Sequence, residues 1–250
     1  MDNVTAIGFD LFNTLITVEP QTMPEALERL IQSLKKSGLS INDEPFKKAY
    51  KENTIKFIER ARQDGRETHN SIWISAALEE FGEYVAPDDH DIGKAVEEYF
   101  TAFYDYSRPI PGTIEMLEVI QRQYPIGLLS NFTHGPAAKK ILEITGLDNC
   151  FKTILISGEL GYRKPYPLVF QILADKLGVD KGQLIYIGDD PEADVQGAEN
   201  AGLRPVWATY ARENKAPTAP GKHREDEKIP DHEVSSISSW QELFYLLDNH

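Results

Sequence analysis

The chain has 250 residues, with 26 Lys and Arg against 40 Asp and Glu, so its formal net charge at pH 7 is -14. A field of that sign repels phosphate backbones and anionic bilayers, which argues against a nucleic-acid binder and against a membrane-surface protein. The hydrophobic share of 41% supports a packed core, and the one cysteine, Cys150, cannot close an internal disulfide. Met1-Asp2-Asn3-Val4 has no basic, apolar leader character, and no apolar run reaches the roughly 18 residues of a membrane span. The expectation is an acidic, cytoplasmic protein acting on a small molecule.

In chain order, the first element is a short apolar strand, Thr5–Phe9, which runs into Asp10. Residues 18–107 then break the rhythm and read as helices. Thr22-Met23-Pro24-Glu25 has the form of a capping box. Met23, Leu27, Leu30, Ile31 and Leu34 follow on one helical face that ends near Gly38. Phe46–Arg62, Ser71–Phe81 and Ile92–Tyr106 have the same amphipathic character. The last carries an aromatic stripe, Tyr99, Phe100, Phe103, Tyr104 and Tyr106, which either packs the core of this insert or lines a pocket. Pro109-Ile110-Pro111-Gly112 marks the return to strand–helix alternation.

From there, strands are expected at Pro125–Leu129, Thr153–Ile156, Leu184–Ile187, Pro205–Ala208 and Glu233–Ile237. Helices are expected at Thr113–Gln123, Pro167–Leu177 and Gly197–Ala201, the last two closing on Gly178 and Gly202. The strands show little polar alternation, as expected when both faces are covered. The result is an α/β fold: a doubly wound parallel sheet built from residues 1–17 and 108–250, with an inserted helical domain over 18–107. Arg212–Pro230 is polar and proline-bearing and reads as an exposed loop.

Polar residues gather where these strands end, which is where open parallel sheets bind ligands. Asp10 follows the first strand, and a carboxylate buried there needs a partner. Ser130 and Asn131 follow the second core strand, and Lys164 stands before Pro165 after the third. Asp189, Asp190, Glu192 and Asp194 follow the fourth. These last carboxylates repel one another unless a cation neutralises them, and hard oxygen ligands suit Mg²⁺.

In this order and at these strand ends, Asp10, Ser130, Lys164, Asp189 and Asp194 resemble the four motifs of the haloacid dehalogenase-like (HAD) hydrolase superfamily. The helical insert resembles that family's small α-helical cap, and Gly161-Tyr162-Arg163-Lys164-Pro165 is similar to the same cap class. The resemblance implies a Rossmann-like core and an enzyme whose nucleophile, Asp10, forms a covalent aspartyl intermediate that water then hydrolyses. It further implies Mg²⁺ held by Asp10, Asp189 and the Phe12 carbonyl, with Asp194 orienting a metal water or Lys164. Thr14, Ser130, Asn131 and Lys164 would contact a small anionic substrate, a phosphorylated metabolite. Oligomeric state is left open.

One position departs from the pattern. The family's phosphatases carry a second Asp two residues after the nucleophile as proton donor; Phe12 stands there and cannot transfer a proton. A non-acidic aromatic at that site resembles the metal-independent 2-haloacid dehalogenases. Their fourth motif, however, has Ser where Asp189 stands, and their cap arginine and later tyrosine correspond to Ile41 and Phe170 here. Phosphonoacetaldehyde hydrolases also lack the second Asp but need a cap lysine, for which Lys47, Lys48, Lys51 and Lys56 are candidates by location. A weakly active or non-catalytic binding member of the fold is the remaining alternative. His134 and Glu159 are candidate substitute acids, and Arg60, Arg62 and Arg66 candidate anion contacts.

Overall fold

A computed structural model describes residues 3–218 and 234–248. The strands are β1 (Ala6–Phe9), β2 (Ile16–Val18), β3 (Ser107–Pro109), β4 (Ile126–Ser130), β5 (Thr153–Ile156), β6 (Leu184–Gly188), β7 (Arg204–Ala208) and β8 (Ser236–Ile237). The helices are α1 (Thr22–Lys36), α2 (Asp43–Asp64), α3 (Asn70–Glu79), α4 (His90–Tyr106), α5 (Thr113–Ile120), α6 (Gly135–Ile144), α7 (Ser157–Leu160), α8 (Pro167–Leu177), α9 (Gly197–Ala201), α10 (Tyr210–Glu213) and α11 (Trp240–Asp248). No helix among the described residues is long and apolar enough to cross a membrane.

Six strands form one parallel sheet in the order β5-β4-β1-β6-β7-β8. Strands β1, β4 and β6 are buried along their whole length, which is why they read as apolar runs without alternation. From β1 the chain builds outward through β4 and β5, then returns to the other side of β1 with β6. That reversal opens a crevice at the carboxyl edge beside β1.

Every strand expected in the sheet is present. Glu233, the expected start of the last, lies outside the described residues, as does most of the Arg212–Pro230 segment; within it Arg212 and Glu213 belong to α10. The hairpin β2–β3 was not legible: Ile16 pairs with Pro109 and Val18 with Ser107 in an antiparallel ribbon too short to show a period. It forms the stalk from which α1–α4 leave the sheet and to which they return. The capping box is corrected. Thr22 is the first residue of α1, Gln21 sits at the cap without a side-chain bond, and Thr22 Oγ1 donates back to Glu19 O at 2.7 Å. Glu25 turns instead to Arg29 at 3.0 Å, one turn on.

Helix α1 lies along α4, burying Ala26, Leu30, Ile31 and Leu34 against the face that carries Ile92, Val96, Tyr99 and Phe100. A second attachment joins the helical layer to the sheet layer. The turn after α2 reverses at Gly65, in the left-handed region at φ 73°. It then pairs with the segment before Pro165: Glu67 N donates to Gly161 O and Arg163 N to Gly65 O, both at 3.0 Å. The buried Glu67 carboxylate takes Arg163 Nη1 at 3.1 Å and the Ser157 hydroxyl at 2.5 Å. Removing one partner of a buried ion pair leaves the other charge uncompensated. Glu67→Ala is therefore expected to cost about 3 kcal/mol in urea unfolding, and a loss below about 1 kcal/mol would show that this pair does not anchor the helical layer.

Candidate active site

Four strand-end segments converge at the carboxyl edge. Asp10 continues β1, with its backbone N–H donated to Ile187 O of β6 at 2.8 Å. Its carboxylate is buried and accepts from Lys164 Nζ at 2.6 Å. The same ammonium reaches Tyr186 Oη at 2.8 Å and lies 2.7 Å from Asp194 Oδ1, an ion pair outside hydrogen-bond angles. Tyr186 donates its own hydroxyl hydrogen bond to Leu129 O at 2.8 Å. Asp194 sits in a π-helical turn, Pro191–Gln196, which the Asp190 side chain caps by accepting from Glu192 N and Ala193 N. Its Oδ2 accepts from Asp190 N at 2.9 Å. A Cβ on Gly188 would meet the Asp194 carboxylate at 2.3–2.4 Å, so only glycine lets Asp194 close over the end of β6.

Asp10, Asp189 and Asp194 each offer an oxygen within 4.8 Å of the others. Burial pushes Asp10 up to about 7; Lys164 opposes the shift and Asp194 adds to it. Burial also works against the Lys164 charge, but Asp10 and Asp194 outweigh it and hold the ammonium well above its usual value. Three carboxylates and one ammonium leave an excess of two negative charges, and hard oxygens so close together fit one divalent cation.

Not every expected residue sits as foreseen. Ser130 is buried at the end of β4 and lines the cavity. Asn131 lines it too, but its side chain is spent on Lys164, accepting from that residue's N–H at 2.8 Å and donating to its C=O at 2.9 Å. Its amide therefore clamps the lysine backbone at the cavity's edge. Thr14 is corrected: it is buried, it does not line the cavity, and its hydroxyl has no hydrogen-bond partner. Phe12 lines the cavity, stacked on Phe132 at 5.0 Å and edge-on to Phe103 at 6.1 Å. Tyr186 and Arg163 were missed. The first is hidden in an apolar strand and the second stands beside a lysine that drew the attention.

The cavity measures about 220 Å³ and is lined on its helical side by residues of α1, α2, α3 and α4. Tyr99, Phe100 and Phe103 both pack the helical layer and line this space, so both readings of the aromatic stripe hold. Of the candidate arginines, Arg62 reaches the cavity and Arg60 and Arg66 do not. Lys47, Lys48, Lys51 and Lys56 are absent from its lining, and Lys47 and Lys48 pair with Glu44 and Glu52 at the surface. Glu159 pairs with Lys139 at 2.6 Å.

His134 is likewise corrected: it lies outside the cavity lining, in a chain that joins the two layers. Ser71 N donates to His69 Nδ1, so a neutral His69 carries its proton on Nε2 and gives it to His134 Nδ1 at 3.0 Å. His134 then donates through Nε2 to Glu97 Oε1 at 3.0 Å, while its ring stacks on Phe100.

A doubly wound sheet with a buried carboxylate–lysine pair at its carboxyl edge, under a helical layer, has the form of an α/β enzyme. The chain belongs to the haloacid dehalogenase-like hydrolases, whose family profile matches residues 4–202. It is 30% identical to the N-acylneuraminate-9-phosphatase of Rattus norvegicus, over 99% of this chain and 96% of that one. It is also 30% identical to the pyrimidine 5'-nucleotidase YjjG of Escherichia coli, over 63% of this chain and 65% of that protein's length. The fold is shared with a 2-haloacid dehalogenase from Pseudomonas syringae at a TM-score of 0.70 and 20% identity, covering 98% of this chain and 99% of that one.

Burial, and to a lesser degree His134, lower the His69 pKa below its usual 6.5, while Glu97 pulls the other way. The unfolded chain takes up the proton first, so His69 supports the fold above about pH 6.5 and withdraws that support as pH falls through the lowered value. The midpoint of thermal unfolding is expected to drop below pH 6.5 more steeply in the wild type than in His69→Ala. Parallel curves for the two proteins would exclude His69 as the source.

Proposed function

We propose that the chain is a cytoplasmic, Mg²⁺-dependent phosphatase of a small phosphorylated metabolite, working through an aspartyl-phosphate on Asp10. The observation that carries this reading is the Lys164 ammonium bridging Asp10 and Asp194, with Asp189 close enough to complete an oxygen site. The phosphatase activity of the N-acylneuraminate-9-phosphatase, matched over nearly its whole length, supports it.

Asp10 attacks phosphorus with one carboxylate oxygen, and the bond to the leaving oxygen breaks. Lys164 holds Asp10 in place and offsets negative charge at the transferring group. Ser130 stands at the end of β4 to bond a phosphoryl oxygen, and Asp194 orients Lys164. Asp10, Asp189 and the Phe12 carbonyl would hold Mg²⁺, which supplies charge neutralisation at the phosphoryl oxygens when bound. Water then cleaves the acyl phosphate and regenerates the Asp10 carboxylate. The helical layer excludes bulk water and restricts the site to small substrates.

Asp10→Asn is expected to lower phosphate release by about 10³-fold or more, and chelation of divalent metal to abolish it in the wild type, a loss that added Mg²⁺ reverses. Full activity in Asp10→Asn overturns the nucleophile. Chloride release from an L-2-haloacid by metal-free protein, without phosphate release from any phosphoester or acyl phosphate, replaces this reading by the dehalogenase.

A further inference from the structure

The cavity is chemically two-sided. Its carboxylates, Asp10, Asp189, Asp190 and Asp194, all come from the segments that follow β1 and β6, at the sheet edge. The helical layer contributes no Asp, Glu or His to the lining described. Most of what it does contribute is apolar: Met23, Ile58, Trp73, Phe100 and Phe103. The stacked rings of Phe12 and Phe132 extend that surface down to the nucleophile.

In-line displacement puts the leaving oxygen on the face of phosphorus opposite the attacking Asp10 oxygen. That face looks away from the sheet edge and into the helical layer. Three polar residues of the helical layer line the space, and none is suited to supply a proton there. Arg62 carries a guanidinium that does not deprotonate. Asn70 has an amide, already bonded to the hydroxyls of Thr133 and Tyr50. Tyr99 is buried and turns its hydroxyl to the Met23 sulfur at 3.9 Å, within the helical layer.

A leaving group expelled here departs as its anion, among rings. An alkoxide cannot do so at a useful rate, because without a positioned acid it forfeits about 10²–10⁴-fold. A phenolate or carboxylate can, since its charge is already stabilised. A planar apolar body also suits walls made of aromatic faces.

Resting on the phosphatase reading above, we propose that the substrates are phosphoryl compounds whose leaving group is a weak base on a flat apolar body, that is, aryl phosphates and aromatic acyl phosphates. The step balances without a protein acid. A bond forms from an Asp10 oxygen to phosphorus, and the phosphorus–oxygen bond to the leaving group breaks with its electron pair on that oxygen. The anion is protonated, where its basicity requires it, by solvent after release. Water then adds to the aspartyl-phosphate, returning the carboxylate and dihydrogen phosphate.

The test uses the full-length protein with Mg²⁺ and five probes: p-nitrophenyl, phenyl and 2-phenylethyl phosphates, and benzoyl and acetyl phosphates. The expected kcat/KM for p-nitrophenyl phosphate exceeds that for 2-phenylethyl phosphate by about 10³-fold, and benzoyl phosphate has a lower KM than acetyl phosphate. In Phe12→Asp the gap between p-nitrophenyl and 2-phenylethyl phosphates is expected to narrow by about 10²-fold. The wild-type comparison stands even if that variant does not fold. The acyl and aryl arms show which of the two leaving groups the site favours.

If Asp10-dependent turnover is found but 2-phenylethyl phosphate is cleaved within about tenfold of p-nitrophenyl phosphate, the leaving-group inference falls and the phosphatase reading stands. A benzoyl phosphate KM no lower than that of acetyl phosphate overturns the apolar-body half. No Asp10-dependent turnover of any probe overturns both.

Discussion

The sheet edge is organised around one buried ammonium. Lys164 is about as inaccessible as a lysine can be, and a charge in that position survives only with compensation on every side. Three oxygens, from Asp10, Asp194 and Tyr186, lie 2.6–2.8 Å from Nζ. Each depends on something further back. Tyr186 is oriented by Leu129 O, Asp194 fits because residue 188 is glycine, and the Lys164 backbone is clamped by Asn131. β1, β4, β6 and the segment before Pro165 are thus locked to one another through a single side chain.

The lock leaves a charge excess that the fold does not resolve by itself. One ammonium cannot neutralise three carboxylates, and Asp10, lifted to about 7 mainly by its burial, is raised further by Asp194 while Lys164 opposes the shift. A divalent cation held by these oxygens would favour the ionised form of Asp10. The global charge of -14 is therefore a poor guide to the site, since what an incoming anion meets is a local sum close to zero once a cation is bound.

How much of this was legible follows from burial. β1, β4 and β6 are covered on both faces, so their apolar runs, and the polar residues at their ends, stood out in the sequence. The β2–β3 stalk is too short to carry a period, and its pairing joins residues from opposite ends of the insert. Thr14 was misplaced for a related reason. Residue type and strand-end position locate a polar group near a site, but only the backbone path shows whether its side chain borders the cavity, as Ser130 does, or is spent on the scaffold, as the Asn131 amide is. Tyr186 was invisible because an aromatic in a buried strand ordinarily needs no polar explanation.

The helical layer has a closer relation to the lysine than its place in the sequence suggests. Its anchor, Glu67, binds Arg163, the residue immediately before Lys164. The backbone on either side of that ion pair is bonded as well, through Glu67 N to Gly161 O and Arg163 N to Gly65 O. The short segment 161–164 therefore holds the roof with one residue and the Asp10 carboxylate with the next. A displacement of the helical layer strong enough to break the Glu67 contacts must pull on the backbone that aims Nζ at Asp10. Enclosure of the cavity and alignment of its chemistry are in this way two consequences of one piece of chain.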